Sequence, residues 1–167
     1  MRRILCLVFL SVIGALVLRA YAVEGIYIAS ASMEPTLPVG THIFVNKLLY
    51  RFRAPQRGEV VVFPSPVEKK ELVKRVIGVA GDDIKIEEKQ VILNGKPLNE
   101  PYVKHTRANE RLVGDNLEVG KVPPGHVFVL GDNRDESGDS RDWLDAQGGH
   151  TFFIPLSSLK GKLVELP

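Results

Sequence analysis

The sequence predicts a mostly β protein with one apolar helix at its N-terminus. From Ile26 onward, short runs rich in Val, Ile and Phe are separated by Gly, Pro and Asn, which is the pattern of strands joined by turns. No long stretch after residue 25 sustains a helical period. With 167 residues, the chain is long enough for one main domain with a substantial core.

Residues 1–25 are predicted to form a membrane anchor. The uncharged run 4–18 follows Arg2 and Arg3, and the apolar segment, extended to Val23, approaches the about 20 residues that a helix needs to cross a bilayer. The paired arginines favour a cytoplasmic N-terminus, which would place the remainder of the chain on the other side of the membrane.

Two alternatives to a retained anchor follow from the same residues. A removable signal peptide would fit the basic start, the apolar core and the sequence Ala20-Tyr21-Ala22. Arg19 argues against a removable signal peptide, because it directly precedes Ala20-Tyr21-Ala22, in a region that is usually uncharged when a signal peptide is cleaved. A buried helix of a soluble protein fits least well, because no polar face interrupts residues 4–18.

Charge and cysteine content exclude several classes of function. The net charge of +2 gives no basis for nucleic-acid binding. The single cysteine, Cys6, lies in the apolar segment, so the chain can form neither an intramolecular disulfide nor a cysteine-based zinc site.

The remaining residues, 26–167, are predicted to form the β-domain. The apolar runs predict strands at 41–46, 59–63, 71–79, 83–87, 90–93, 126–130 and 162–166. Asn94-Gly95 predicts a tight turn. Residues 81–123 are more polar and rich in turn signals, so they are predicted to form a small cap or insertion. The basic and apolar segment 47–53 could contact lipid, or it could simply end a strand with its charges in solvent.

A serine pair marks the first candidate site. If residues 30–32 are extended, Ser30 and Ser32 point to the same side, and Pro35 disfavours a helical conformation at Glu34. Either hydroxyl could be a nucleophile if a base removed its proton. On its own, the pattern is far more often that of a serine-rich loop, and only the other two stretches overturn this interpretation.

A lysine in a predicted strand is the second candidate. Strand alternation places Lys74 on one face with Leu72 and Val76. Desolvation among apolar neighbours would lower the pKa of this lysine, and a neutral lysine can act as a general base towards serine. The alternative is an ordinary lysine at a sheet edge.

The polar segment 131–141 is the third candidate. A calcium loop is excluded, because aligning Asn133, Asp135 and Ser137 with the first ligand positions places Leu144 where a bidentate Glu is required. The dense alternation of acids, Arg and Ser instead indicates a polar network that holds a site rigid.

Together these stretches resemble the signature sequences of type I signal peptidases, the membrane-bound Ser-Lys endopeptidases that remove signal peptides. The resemblance rests on four ordered segments: SASMEPTLPVG at 30–40, RGEVVVF at 57–63, VKRVIGVAGD at 73–82 and GDNRDESGDSR at 131–141. It implies a signal-peptidase-like β-fold. It also implies a location at the plasma membrane, with a single span and the catalytic domain on the extracytoplasmic side.

The resemblance also implies roles for particular residues. Ser32 would be the nucleophile and Lys74 the general base, with the backbone N–H of Ser32 and the hydroxyl of Ser30 forming the oxyanion hole. Ser137 would orient the lysine. Two further groups follow: Arg75, Asp132, Asp139 and Arg141 as supporting polar residues, and Ile28, Met33, Leu37 and Val73 lining shallow substrate pockets.

The implied enzyme needs no metal and no organic cofactor. Its partners would be preproteins bearing signal peptides, membrane lipid and a nearby export translocon. The chain departs from the family pattern at residues 142–151, which intervene before Phe152-Phe153-Ile154-Pro155, and its cap is short and has no cysteine pair. A conjugation-pilin or prepilin maturase of the same superfamily is one alternative, and a non-enzymatic membrane-anchored binding module is another.

Overall fold

An N-terminal helix leads into two antiparallel β-sheets. The computed structural model describes residues 2–145 and 147–164. The helix, α1, spans Arg2–Ala22 and is followed directly by the first strand. The mostly β class predicted from the sequence is confirmed.

The larger sheet carries the candidate site. Across the described residues it contains seven strands, in the spatial order β1 (Val23–Tyr27), β2 (His42–Asn46), β11 (Gly161–Val164), β3 (Val60–Pro64), β4 (Glu71–Val79), β9 (His126–Leu130) and β10 (Ile154–Pro155). The strand β11, late in the chain, therefore lies between β2 and β3, both of which precede it by about a hundred residues or more.

A smaller sheet is formed by four strands of the described chain, in the order β7 (Lys96–Pro97), β6 (Gln90–Leu93), β5 (Asp83–Glu87) and β8 (Leu117–Lys121). These strands lie inside the range 81–123 that the sequence predicts as a cap. Asn94 and Gly95 join β6 to β7 with φ values of 52° and 77°, so the predicted tight turn is confirmed.

Three apolar clusters hold these layers together. The first cluster contains Met33, which directly follows Ser32, together with Val45 and Val62. A second joins the smaller sheet to β4 and β9 through residues such as Ile77, Ile84 and Phe128. The third contains Val61, Phe63 and Val76, with Trp143 packed edge-on against Phe63 at a ring distance of 5.9 Å.

The seven predicted strands are found within about two residues of their expected limits, and the end of the last one, residues 165 and 166, lies outside the described residues. Sequence reasoning missed β1, because Val23 continues the apolar run of α1. It missed β8 because the stretch is polar, and β7 and β10 because each has only two residues and contains Pro.

The expected transmembrane anchor is not supported. Within the parts of the chain that the structure describes, no helix has both the length and the apolar character needed to cross a membrane. The uncharged run 4–18 is itself shorter than the about 20 residues of a typical span. The side chains of Arg19 and Tyr21 lie outside the described part of the chain.

Candidate active site

Ser32 lies in a single 3₁₀ turn, Ala31–Met33, rather than in extended chain. Of the three residues 30–32, which were expected to be extended, only Ser30 is, with φ −132° and ψ 153°. The chain winds here because Met33, 1% exposed, is packed into the first apolar cluster. The two serine hydroxyl oxygens still lie 3.2 Å apart. Glu34 is extended, as expected for a residue before proline.

Lys74 reaches Ser32 from β4. Its Nζ donates a hydrogen bond of 2.8 Å to the Ser32 Oγ, and the lysine is only 2% exposed. Leu72 and Val76, on the same strand, pack in the third apolar cluster, in keeping with the alternation read from the sequence. Burial lowers the pKa of Lys74 to about 8, although the charge of Asp139 partly opposes this shift.

The segment 131–141 holds the Ser32 turn through its backbone. The Asn133 N–H donates a 3.1 Å hydrogen bond to the Ser32 carbonyl oxygen. Gly131 lies so close that an added Cβ would be 2.5 Å from that same oxygen. Only glycine fits this position without moving the turn that carries Ser32.

A buried ion pair between Arg141 and Asp139 stabilises the conformation of segment 131–141. Arg141 donates from Nε to the Asp139 Oδ1 at 2.9 Å and from Nη2 to Oδ2 at 3.0 Å, while Oδ2 also accepts the Gly131 N–H at 3.0 Å. Burial alone would raise the pKa of Asp139, but Arg141 and these hydrogen bonds lower it overall. Asp139 therefore stays ionised and fixes the loop next to the site.

Arg75 and Asp132 form a second, bidentate pair. Arg75 donates to both carboxylate oxygens of Asp132 at 2.8 and 2.6 Å, and it also donates to the Gly58 carbonyl oxygen at 2.8 Å. The Thr36 hydroxyl donates to the same carboxylate, and the guanidinium lies 4.0 Å from the centre of the Tyr102 ring. The Arg75–Asp132 pair therefore ties β4 to segment 131–141, and through Thr36 it also ties β4 to the stretch that carries Ser30 and Ser32.

Ser137 does not make the contact that the family resemblance implies. Its Oγ is buried and has no hydrogen-bond partner among the described residues, so no bond to Lys74 is present. The hydroxyl is directed towards Gly131, where an added Cβ would be 2.5 Å from the Ser137 Cβ. Packing against this glycine, rather than a bond to the lysine, is therefore what the structure shows for Ser137.

The two candidate serines open onto a groove of about 640 Å³. Ile28, Met33 and Val73 line it, as expected from the resemblance. Leu37 does not line it, although it lies in the first apolar cluster with Ile28 and Met33. No cluster of three or more potential metal ligands occurs among the described residues.

Sequence reasoning missed one wall of the groove. The connection between β3 and β4 contributes Ser65, Val67 and Lys70, and the other side includes Tyr27 and Trp143. None of these residues belongs to a motif with chemical meaning. For Ser65, Val67 and Lys70, the only signal in the sequence was their position between the predicted strands 59–63 and 71–79, the second of which carries Lys74.

A serine hydroxyl bonded to a buried amine of lowered pKa, beside an open groove, is the arrangement of a hydrolase that uses an amine base. The comparison with known families agrees. The sequence profile described as signal peptidase, peptidase S26, matches residues 1–166. The chain belongs to this family and is a serine peptidase.

Individual relatives lead to the same family. Signal peptidase I P of Bacillus subtilis subsp. natto is 35% identical over 164 residues, covering 92% of this chain and 88% of that protein. The probable signal peptidase I-2 of Synechocystis sp. is 37% identical over 158 residues, covering 91% of this chain and 66% of that protein. The crystal structure of a signal peptidase I from Enterococcus faecalis V583 matches with a TM-score of 0.51 and 29% identity, covering 67% of this chain and 98% of that one.

We expect Lys74→Arg to be almost inactive, because a guanidinium keeps its proton and cannot accept another. The loss in kcat/KM on a preprotein should exceed about a hundredfold. Lys70→Arg is the matched control, since Lys70 also lines the groove but is exposed and paired with Glu68. A loss below about tenfold for Lys74→Arg would show that Lys74 is not the base.

Activity should also rise with pH. Because burial lowers the pKa of Lys74 to about 8, the lysine is charged and inactive below that pH and becomes competent as it loses its proton above it. The logarithm of kcat/KM should therefore rise with unit slope below about pH 8 and level off above it, with EDTA leaving the profile unchanged. A profile that is flat across this range would contradict a lysine base.

Proposed function

We propose that this chain removes N-terminal signal peptides from exported preproteins, using Ser32 as nucleophile and Lys74 as general base. The observation that carries this proposal is the 2.8 Å hydrogen bond between the lysine amine and the serine hydroxyl. Its support is the burial that lowers the pKa of the amine to about 8. The names of the relatives, signal peptidase I, give the substrate class.

The first half of the reaction forms an ester. Neutral Lys74 takes the proton of Ser32 as Oγ attacks the scissile carbonyl carbon. The Ser32 N–H and the Ser30 hydroxyl donate to the oxyanion, and one such donor typically lowers the barrier by about 3–4 kcal/mol. The C–N bond then breaks, and the lysine ammonium returns its proton to the leaving amine.

The second half releases the signal peptide. Lys74, neutral again, takes a proton from water as the water oxygen attacks the ester carbonyl. The bond to Ser32 breaks, and the serine oxygen recovers its proton from the lysine. No metal or organic cofactor takes part in either half.

Substrate selection would come from the apolar part of the groove. Ile28, Met33 and Val73 line the groove together with the two serines, and we assign to them the small side chains before the scissile bond. Leu37 is left out of this role, because it does not line the groove.

Attachment to lipid through α1 completes the proposal. Residues 4–16 of the helix carry no charge, and side chains such as Ile4, Leu7 and Phe9 are about two-thirds exposed. A helix of this kind needs an apolar environment, and a bilayer supplies one. A chain held there would meet preproteins as they leave the export translocon.

Charges placed in α1 should release the chain from lipid. We expect the chain to float with lipid vesicles in a density gradient, and Val8→Lys with Val12→Lys to leave it at the bottom. Each lysine costs about 2.5–3.5 kcal/mol within a bilayer. Val39→Lys with Val67→Lys, two exposed valines outside the helix, is the matched control. Equal flotation of both double variants would refute attachment through α1.

The dyad itself is tested with Ser32→Ala. Incubated with a preprotein bearing an Ala-x-Ala site, the variant should lose at least about a thousandfold in activity, because Lys74 hydrogen-bonds the hydroxyl of Ser32 and not that of Ser30. Ser158→Ala is the control, since that hydroxyl bonds the Pro155 carbonyl and does not line the groove. Cleavage by Ser32→Ala within tenfold of the parent rate would exclude Ser32 as nucleophile.

A further inference from the structure

A second depression, of about 360 Å³, lies next to the active-site groove. The two cavities share Glu136, Gly138 and Asp142 as lining residues, so segment 136–142 forms a common border between them. Beyond this border the depression is lined by Leu112 and Val113 of the cap, together with Arg107. None of these three residues belongs to the groove.

The lining of the groove has two chemically different parts. Ile28, Met33 and Val73 form an apolar part, which the proposed function assigns to the small side chains before the scissile bond. Glu136, Gly138 and Asp142 form a second part, which is shared with the second depression. If the residues before the scissile bond occupy the apolar part, the residues after it are directed across segment 136–142 into the second depression.

We propose that the second depression binds the first residues of the mature part of the preprotein. This inference rests on the proposed function and names a binding site on the leaving-group side of the reaction. Its surface suits a peptide of varied sequence. Val113 is 89% exposed and offers an apolar contact, while Arg107, Glu136 and Asp142 supply both signs of charge.

Arg107 also supports this occupant. Its side chain is 40% exposed, and its Nε, which lies 3.5 Å from a carboxylate oxygen of Glu136, is buried and makes no hydrogen bond. Carbonyl oxygens of a peptide lying in the depression would accept hydrogen bonds from the exposed part of this guanidinium. Extended peptides present such carbonyls regardless of sequence, which fits an enzyme that acts on many preproteins.

The site can be tested by exchanging charges between enzyme and substrate. Val113→Asp and Val113→Lys place opposite charges at an exposed position that carries none and that has no part in the dyad. The substrates are two preproteins with the same signal peptide, with either two Lys or two Asp just after the first mature residue. One truncated peptide, which ends at that first residue and is common to both preproteins, serves as the short control substrate.

For the long substrates, we expect the variants to exchange preferences. Val113→Asp should favour the Lys substrate and Val113→Lys the Asp substrate, so that the ratio of their kcat/KM values changes about threefold or more between variants. This change should shrink at high salt. Val39→Asp and Val39→Lys, at an exposed valine outside both cavities, should show no exchange.

Two results would overturn the proposal: the same substrate ratio for both Val113 variants, or a difference in kcat/KM between these variants that is as large for the truncated peptide as for the preproteins. Failure of the proposed function gives a different result. If Ser32→Ala still cleaves the truncated peptide, the dyad is wrong, whatever the Val113 variants do. If the truncated peptide is cleaved only with Ser32 present and no exchange is seen, the dyad stands and the second site is refuted.

Discussion

The burial of one amine against one hydroxyl is the interaction on which this structure depends. Lys74 has almost no contact with solvent and donates its hydrogen bond to Ser32. Burying a charged amine is costly, so the fold favours the neutral form. The same desolvation that weakens the charge makes the lysine a base near neutral pH. A core position that would ordinarily select an apolar residue thereby becomes chemically useful.

The surrounding charged residues keep this geometry rigid without hydrogen bonding to the lysine amine or the serine hydroxyl. Asp139 and Arg141 lock segment 131–141, and the backbone of Asn133 holds the carbonyl of Ser32. Arg75 and Asp132 connect β4 to the same segment. These ion pairs are buried or nearly so, and each carboxylate has several donors, which offsets the cost of taking charge out of water. Their contribution is positional precision at the active site.

Local chemistry explains what could be predicted from the sequence. Runs rich in β-branched residues, such as 71–79 and 126–130, could be predicted as strands, because the side-chain alternation and the flanking turn residues that indicate a strand lie within a few residues of each other. The candidate site followed from ordered motifs whose residue types have few other uses. The same motifs placed Lys74 on a strand among apolar neighbours, and the structure agrees.

What could not be predicted depends on packing between distant segments. The inward turn of Leu37, the 3₁₀ turn at Ser32 and the direction of the Ser137 hydroxyl are all decided by neighbours far away in sequence. The groove wall at Ser65 and Lys70 consists of ordinary turn residues. Short strands with few residues, such as β7 and β10, carry too little pattern to be recognised.

The position of β11 has a consequence for how the enzyme comes into being. Among the described residues of the sheet, β1 and β2 flank the Ser32 turn, β4 carries Lys74, and β11 alone joins β2 to β3 and so to β4. During synthesis on the ribosome, the sheet therefore stays in two halves until β11 has emerged. Until then the nascent chain holds the Ser32 hydroxyl and the Lys74 amine without the sheet that aligns them. An activity that depends on this pair would thus arise late, after nearly all of the described polypeptide has been made.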